Sequence, residues 1–175
     1  MWRGGVAAIF GVGAMWLLTG MGGATKLDGA RASFDGLGPV RIGMKIPEVE
    51  KALGIPLAVD SFGNTNMPCE RAWPSSGTAQ VHFLAVHNAI ERIDIEDQSI
   101  TTDRGAKIGD SEERIRSLYP PPILESPDPD FPEGHYMILS SADGKRALLF
   151  ATDGEVVLTY RVGERRAIER IPGCE

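Results

Sequence analysis

The chain has 175 residues, with 18 Lys and Arg against 24 Asp and Glu and a formal net charge of −6. That acidic balance repels phosphate backbones and argues against a nucleic-acid partner, and the length fits one ordinary domain or two small fused units. Two cysteines and three histidines leave little material for a metal centre, so no cofactor and no metal site is expected.

Residues 1–24 open with Met1, Trp2 and Arg3 and continue almost without charge, most apolar between Val6 and Leu18. This is the pattern of a secretory signal, with Ala24 a suitable cleavage position. The run is diluted by glycine from Gly20 onward and is short for a membrane span of about 20 apolar residues. Its alternative is an uncleaved anchor, the one route by which a membrane enters the reading. Either way the domain is expected outside the cytoplasm, periplasmic or secreted. Residues 25–37 read as an N-terminal linker.

From residue 38 the chain shows a weak correspondence at a constant offset of 66, pairing Ile42 with Ile108, Gly43 with Gly109, Val49 with Ile115 and Phe83 with Leu149. It predicts a first α/β repeat over 38–100 and a second, with a C-terminal tail, over 101–175. In the first, Pro47 opens a short helix, Val49 and Leu53 share a face, and Gly54 ends it. A strand follows near Cys69 to Trp73, then two more over 79–86 and 89–96 around the turn His87-Asn88. In the second, Asp110 and Glu113 form a capping pattern for a helix carrying Ile115 and Leu118 or Tyr119. Residues 120–134, rich in proline, are a connector. Strands over 135–140, 145–152 and 155–162 complete the unit, the last two around Asp153-Gly154. The expected fold class is α+β: two tandem helix-plus-antiparallel-sheet repeats, with helices on one face of the sheet.

Cys69 and Cys174 form an even pair in an exported chain and read as a disulfide. The loop of about 100 residues would stabilise the fold by up to about 4.7 kcal/mol in the chain-entropy treatment.

The run Ile108-Gly109-Asp110-Ser111 leading to Leu118-Tyr119, then Gly134-His135-Tyr136, then Phe150 with Thr152-Asp153-Gly154, then Gly173-Cys174 resembles a family of small, uncharacterised exported bacterial proteins. More distantly, the segment from Ile42 to Gly54 is similar to the start of the repeat unit in the β-lactamase-inhibitory-protein fold and in the SmpA/OmlA outer-membrane assembly lipoproteins. Lys45 stands where those families favour Ser or Thr, and no lipoprotein cysteine follows the apolar run. The resemblance implies a scaffold that binds proteins, and carries over no functional residue.

No catalytic signature is present. His82 and His87 are five positions apart and point to opposite faces of a regular strand. There is no His-Glu-x-x-His, no Gly-x-Ser-x-Gly elbow and no phosphate loop in the mature part. Asp94 and Glu96 share a strand face with Arg92 and read as solvent-facing charge around a buried Ile93–Ile95 pair. Asp128, Asp130 and Glu133 lack the spacing of a calcium loop. Trp73, His135 and Tyr136 remain as candidate binding residues. The reading that results is a non-enzymatic envelope or secreted protein-binding module whose partner is an envelope protein. Its alternative is an envelope hydrolase or a protein that binds a small ligand or glycan.

Overall fold

The computed structural model describes Met1 and residues 26–64, 67–77, 79–128 and 131–169. The expected signal segment, Met1 apart, and Cys174 lie outside the described residues. In chain order the elements are β1 (Arg31–Ser33), β2 (Gly36–Leu37), β3 (Val40–Arg41), α1 (Ile46–Leu53), β4 (Leu57–Asn64), β5 (Met67–Pro74), β6 (Val81–Val86) and β7 (Ala89–Ile95). Then come β8 (Thr101–Thr102), α2 (Glu112–Leu118), β9 (Leu124–Pro127), β10 (His135–Ser140), β11 (Arg146–Thr152) and β12 (Val157–Glu164).

The fold class differs from the expectation. Among the described residues strand accounts for 45% and helix for 11%, so the fold is mainly β. Eight strands form one antiparallel sheet in the order β4-β5-β6-β7-β12-β11-β10-β9, and β3-β2-β1-β8 form a small second sheet. The expected α+β pair of tandem helix-plus-sheet repeats is therefore corrected to a mainly β fold. The physical reason is that β7 and β12 pair directly, Ile93 opposite Val162 and Asp94 opposite Arg161, so the ladder runs unbroken through the middle. The helices, of 8 and 7 residues, are too short to form a layer of their own.

Local signals nonetheless act where they stand. Gly43 and Gly109 both adopt positive φ, 93° and 87°, where a side chain is strained. Each donates its N–H at 2.8 Å across to a strand, to the carbonyls of Ile90 and Val157. In α1 the Lys45 N–H donates to Glu48 Oε2 at 2.8 Å, and Gly54, with φ 76°, closes the helix. In α2 the cap is Ser111, whose hydroxyl accepts from the Arg114 N–H at 3.2 Å. Asp110, the expected cap, instead accepts from the Lys107 N–H at 3.0 Å. The turn residues His87 and Asn88 have φ 51° and 61°, the left-handed pair of a tight hairpin turn.

Alternation along the strands divides the large sheet into two faces. On one, Val81, Phe83, Ile93, Ile95, Phe150, Tyr160 and Val162 join Val49 and Leu53 of α1 and Ile115 and Tyr119 of α2 in the main core. Leu27, Ala32 and Leu37, within the stretch read as a linker, belong to the same core. Tyr119 donates its hydroxyl to Thr102 Oγ1 at 2.8 Å, which ties α2 to the small sheet. The other face carries two smaller apolar clusters. One is Cys69, Leu84 and Val86; the other is Tyr136, Ile138, Ala147, Leu149 and Ala151 under Ile168 of the segment after β12.

The centre of the sheet has a close approach that only glycine satisfies. A Cβ at Gly163 would lie 2.4 Å from the Glu91 carbonyl oxygen and 2.9 Å from the Arg92 Cα, both backbone atoms. Gly163→Ala is expected to destabilise the domain by about 1–3 kcal/mol, in the range of an overpacked core site. Urea unfolding checks it, and a midpoint equal to that of the parent chain would show the β7–β12 contact to be compliant.

Candidate functional site

The face opposite the helices holds the most organised polar cluster outside the helix caps. It depends on an irregularity in the β6–β7 ladder: Leu84 opposes Arg92 while Ala85 opposes Ile90, so Glu91 is an extra residue. The bulge lets Ile90, Ile93 and Ile95 all enter the core while Arg92 and Asp94 face the other way. Glu91 pairs with Arg166. Arg92 is only 2% exposed. Its Nε lies 2.9 Å from Asp94 Oδ1, and its Nη1 donates to the Ala167 carbonyl at 3.1 Å. Arg161, directly opposite Asp94, places Nε 3.6 Å from the same carboxylate and donates Nη1 to the Ile168 carbonyl at 3.4 Å. Its guanidinium also stacks 5.5 Å from the centre of the Tyr136 ring.

Beside this cluster is a cavity of about 220 Å³, bordered by Phe62, Arg71, Leu84, Arg92, Asp94, Glu96, Thr159 and Arg161. Phe62 and Leu84 give it an apolar wall. His82 stands near its rim, with Nδ1 buried, free of any hydrogen bond and 3.7 Å from Glu96 Oε1. Burial, and then the Arg71 charge, hold His82 below the usual imidazole range, against the opposing pull of Glu96 and Asp94.

A second polar cluster lies at the start of α2. Glu112 is 7% exposed, and its carboxylate accepts from Thr152 Oγ1 at 2.6 Å, from His135 Nδ1 at 2.8 Å and from Arg116 Nη2 at 3.0 Å. Arg116 reaches on to both oxygens of Glu125 on β9, at 2.9 and 3.0 Å. Burial pushes the Glu112 carboxyl up, but the hydrogen bonds from Thr152, His135 and Arg116 outweigh it and hold the group below the ordinary carboxylate range. A carboxylate that orients an imidazole supplies two members of a catalytic triad. Among the described residues the His135 ring has no further hydrogen-bond partner, and the bonds of the cluster fasten α2 to β9, β10 and β11.

The three candidate binding residues do not meet. Trp73, on β5, packs edge-on against His82 with ring centres 6.3 Å apart. Tyr136, on β10, is buried under the far half of the open face, and His135 beside it is committed to Glu112. Five strand steps separate β5 from β10, roughly 24 Å at about 4.8 Å per step. Of the residues read from the sequence as solvent-facing, Arg92 is instead buried and Asp94 partly buried at the centre of the cluster. Sequence reasoning misses Arg71, which, like Arg161, is brought to the site by cross-strand register that no local pattern signals. Asp130 of the weighed calcium loop lies outside the described residues, and among the described residues no three metal-ligating side chains converge. Cys69 is buried and is not a free thiol.

No family model matches the chain, and no curated protein does. Among solved structures it is similar to the uncharacterised protein YfeY of Escherichia coli, with TM-score 0.55 and 15% identity over 77% of this chain and 99% of that one. It is also similar to an extracellular protein containing an SCP domain from Bacillus anthracis, with TM-score 0.49 and 10% identity over 76% of this chain and 47% of that one. At these identities the likeness to YfeY shows the fold alone. Among the described residues no helix is long and apolar enough to cross a membrane.

Two acid-sensitive windows follow from His82 and Glu112. Both bind a proton less readily in the folded chain than in the unfolded one, so each contributes stability that is lost on acidification. For His82 the loss begins as pH drops below about 6.5, and for Glu112 as it drops below about 4.3, each continuing toward the lower folded value. Unfolding measured from pH 8 to pH 3 should show both slopes. Glu112→Gln is expected to flatten the lower window, leave the upper one, and cost about 2 kcal/mol at neutral pH. A lower slope that survives the substitution would assign it to other carboxylates.

Proposed function

We propose that the chain is an exported, non-enzymatic module of the bacterial envelope or its exterior that binds a protein through the open face of its large sheet. The observation that carries the reading is the arrangement around the cavity: Phe62, 47% exposed, stands beside Leu84 and Arg71, an apolar anchor next to a charge. Exposed aromatic and arginine side chains around a recess are what interfaces concentrate. The composition of residues 1–24, one arginine followed by a nearly uncharged apolar run, supports export. With residues 1–24 removed the site is periplasmic or secreted; with them retained it is tethered at a membrane. A Cys69–Cys174 disulfide belongs to the same reading, since an oxidising compartment lets it form.

The test is capture from envelope extract with residues 25–175 as bait, comparing the parent with Phe62→Asp and with Phe131→Asp. Both phenylalanines are exposed, so both variants should fold. A stoichiometric partner that the parent and Phe131→Asp retain and Phe62→Asp loses supports binding at the open face. Equal capture by all three, or none by the parent, sinks it. Intact mass of the exported protein supplies a separate check: it should be lighter than the reduced chain by two hydrogens.

A further inference from the structure

We infer that the cavity on the open face receives a carboxylate carried on an apolar body. The inference deepens the binding reading above by naming the chemistry that the recess accepts. Three arginines and two acids border the cavity, and two of the arginines are already committed. Arg92 and Arg161 share Asp94, and each also donates to a carbonyl of the segment after β12. Glu96 faces the rim, 3.7 Å from His82. Arg71 is left. It is half-buried and lies opposite Leu84 on one side and Asp60 on the other, yet among the described residues it makes no hydrogen bond or ion pair. Asp60 is exposed on the edge strand and does not pair with it.

A half-buried guanidinium presents a fork of donors suited to a planar carboxylate, and it is costly to leave without a partner. The apolar wall of Phe62 and Leu84 fixes the rest of the ligand's character, since it offers no hydrogen bond to a hydroxyl and no partner to a second charge. Charge balance sets the valence. Three arginines against two acids leave the lining one positive charge in excess, which matches a monoanion, whereas a phosphate dianion would leave the filled recess net negative. Size narrows it further: at about 220 Å³ the recess is below the range of roughly 300–1,000 Å³ that holds drug-sized ligands, so it takes one terminal group or one small acid. A peptide C-terminus with an apolar last side chain and a free small aryl or alkyl acid both present that chemistry.

The experiment uses the oxidised mature chain and two acids as probes, 3-phenylpropionate and a five-residue peptide ending in Phe with a free carboxylate. The matching amides serve as neutral controls, and binding is read by titration of backbone amide resonances. Both acids are expected to shift resonances around the cavity, with the amides at least about tenfold weaker. Arg71→Gln should weaken the acids by about the same factor, and Arg71→Lys, which keeps the charge without the fork, by less. A peptide bound about tenfold more tightly than the small acid points to a protein C-terminus as the source; the reverse order points to a free acid. Amides that bind as well as the acids overturn the proposal without any appeal to a mutant's folding. So does an Arg71→Gln variant of unchanged affinity, or a cavity that neither acid perturbs at about 10 mM. Acid binding at Arg71 alongside capture that does not depend on Phe62 would overturn the protein-binding reading and leave the carboxylate site standing.

Discussion

The pairing of β7 with β12 is the contact on which both faces of the large sheet depend. Ile93 and Ile95 lie opposite Val162 and Tyr160, and these four side chains enter the main core beneath the helices. Between them Asp94 opposes Arg161 and Arg92 opposes Gly163, and these face the other way. One register thus assembles the hydrophobic core on one side and the charge cluster on the other. A slip of one residue would exchange the two sets, burying the acid and arginines in the core. The pairing also removes two open edges: β4-β5-β6-β7 and β12-β11-β10-β9 would otherwise each end in a long unpaired strand.

The charge cluster is costly by itself. Arg92 is almost fully buried, and bringing a guanidinium and a carboxylate out of water removes more hydration than a single ion pair returns. What offsets this is completeness: Asp94 is shared by two arginines, and each arginine also satisfies a main-chain carbonyl, Ala167 for Arg92 and Ile168 for Arg161. The cluster therefore fastens the segment after β12 across the sheet. Ile168 is pressed onto Tyr136, Leu149 and their neighbours as a result, and that half of the open face is covered. The half beyond Asp94, toward β4, keeps the recess.

The sequence was informative where structure is decided locally. The strand at 135–140 stands where the β-rich run placed it, the hairpin turn at His87-Asn88 needs the two left-handed residues found there, and both helices begin within a residue or two of their signals. Fold class was not legible, because two brief amphipathic helices suggest repeating α/β units while only long-range pairing reveals that the strands form one sheet. The edge strands β4 and β9 were missed for a related reason. Each is paired on one side alone, so hydrophobic alternation is weak, and Pro127 ends β9 in a stretch whose prolines argue for a connector. The site was less legible than the fold. Arg92, Asp94 and Glu96 were seen to share a face, but whether that face meets water depends on the bulge at Glu91 and on Arg161 arriving from seventy residues away.

The composition of the open face constrains what can cover it. Its apolar portions, Leu84 with Val86 and the group under Ile168, lie on either side of a charged midline. A second apolar sheet stacked there would strip water from Arg71 and Glu96 without replacing their hydrogen bonds, at a cost of several kcal/mol for each charge. Stacking of that kind is disfavoured, and with it non-specific association of one copy on another. A partner that meets Arg71 with an anion and Phe62 and Leu84 with an apolar group pays no such penalty. The same residues that keep the face from sticking to any apolar surface thereby select the few surfaces that fit it.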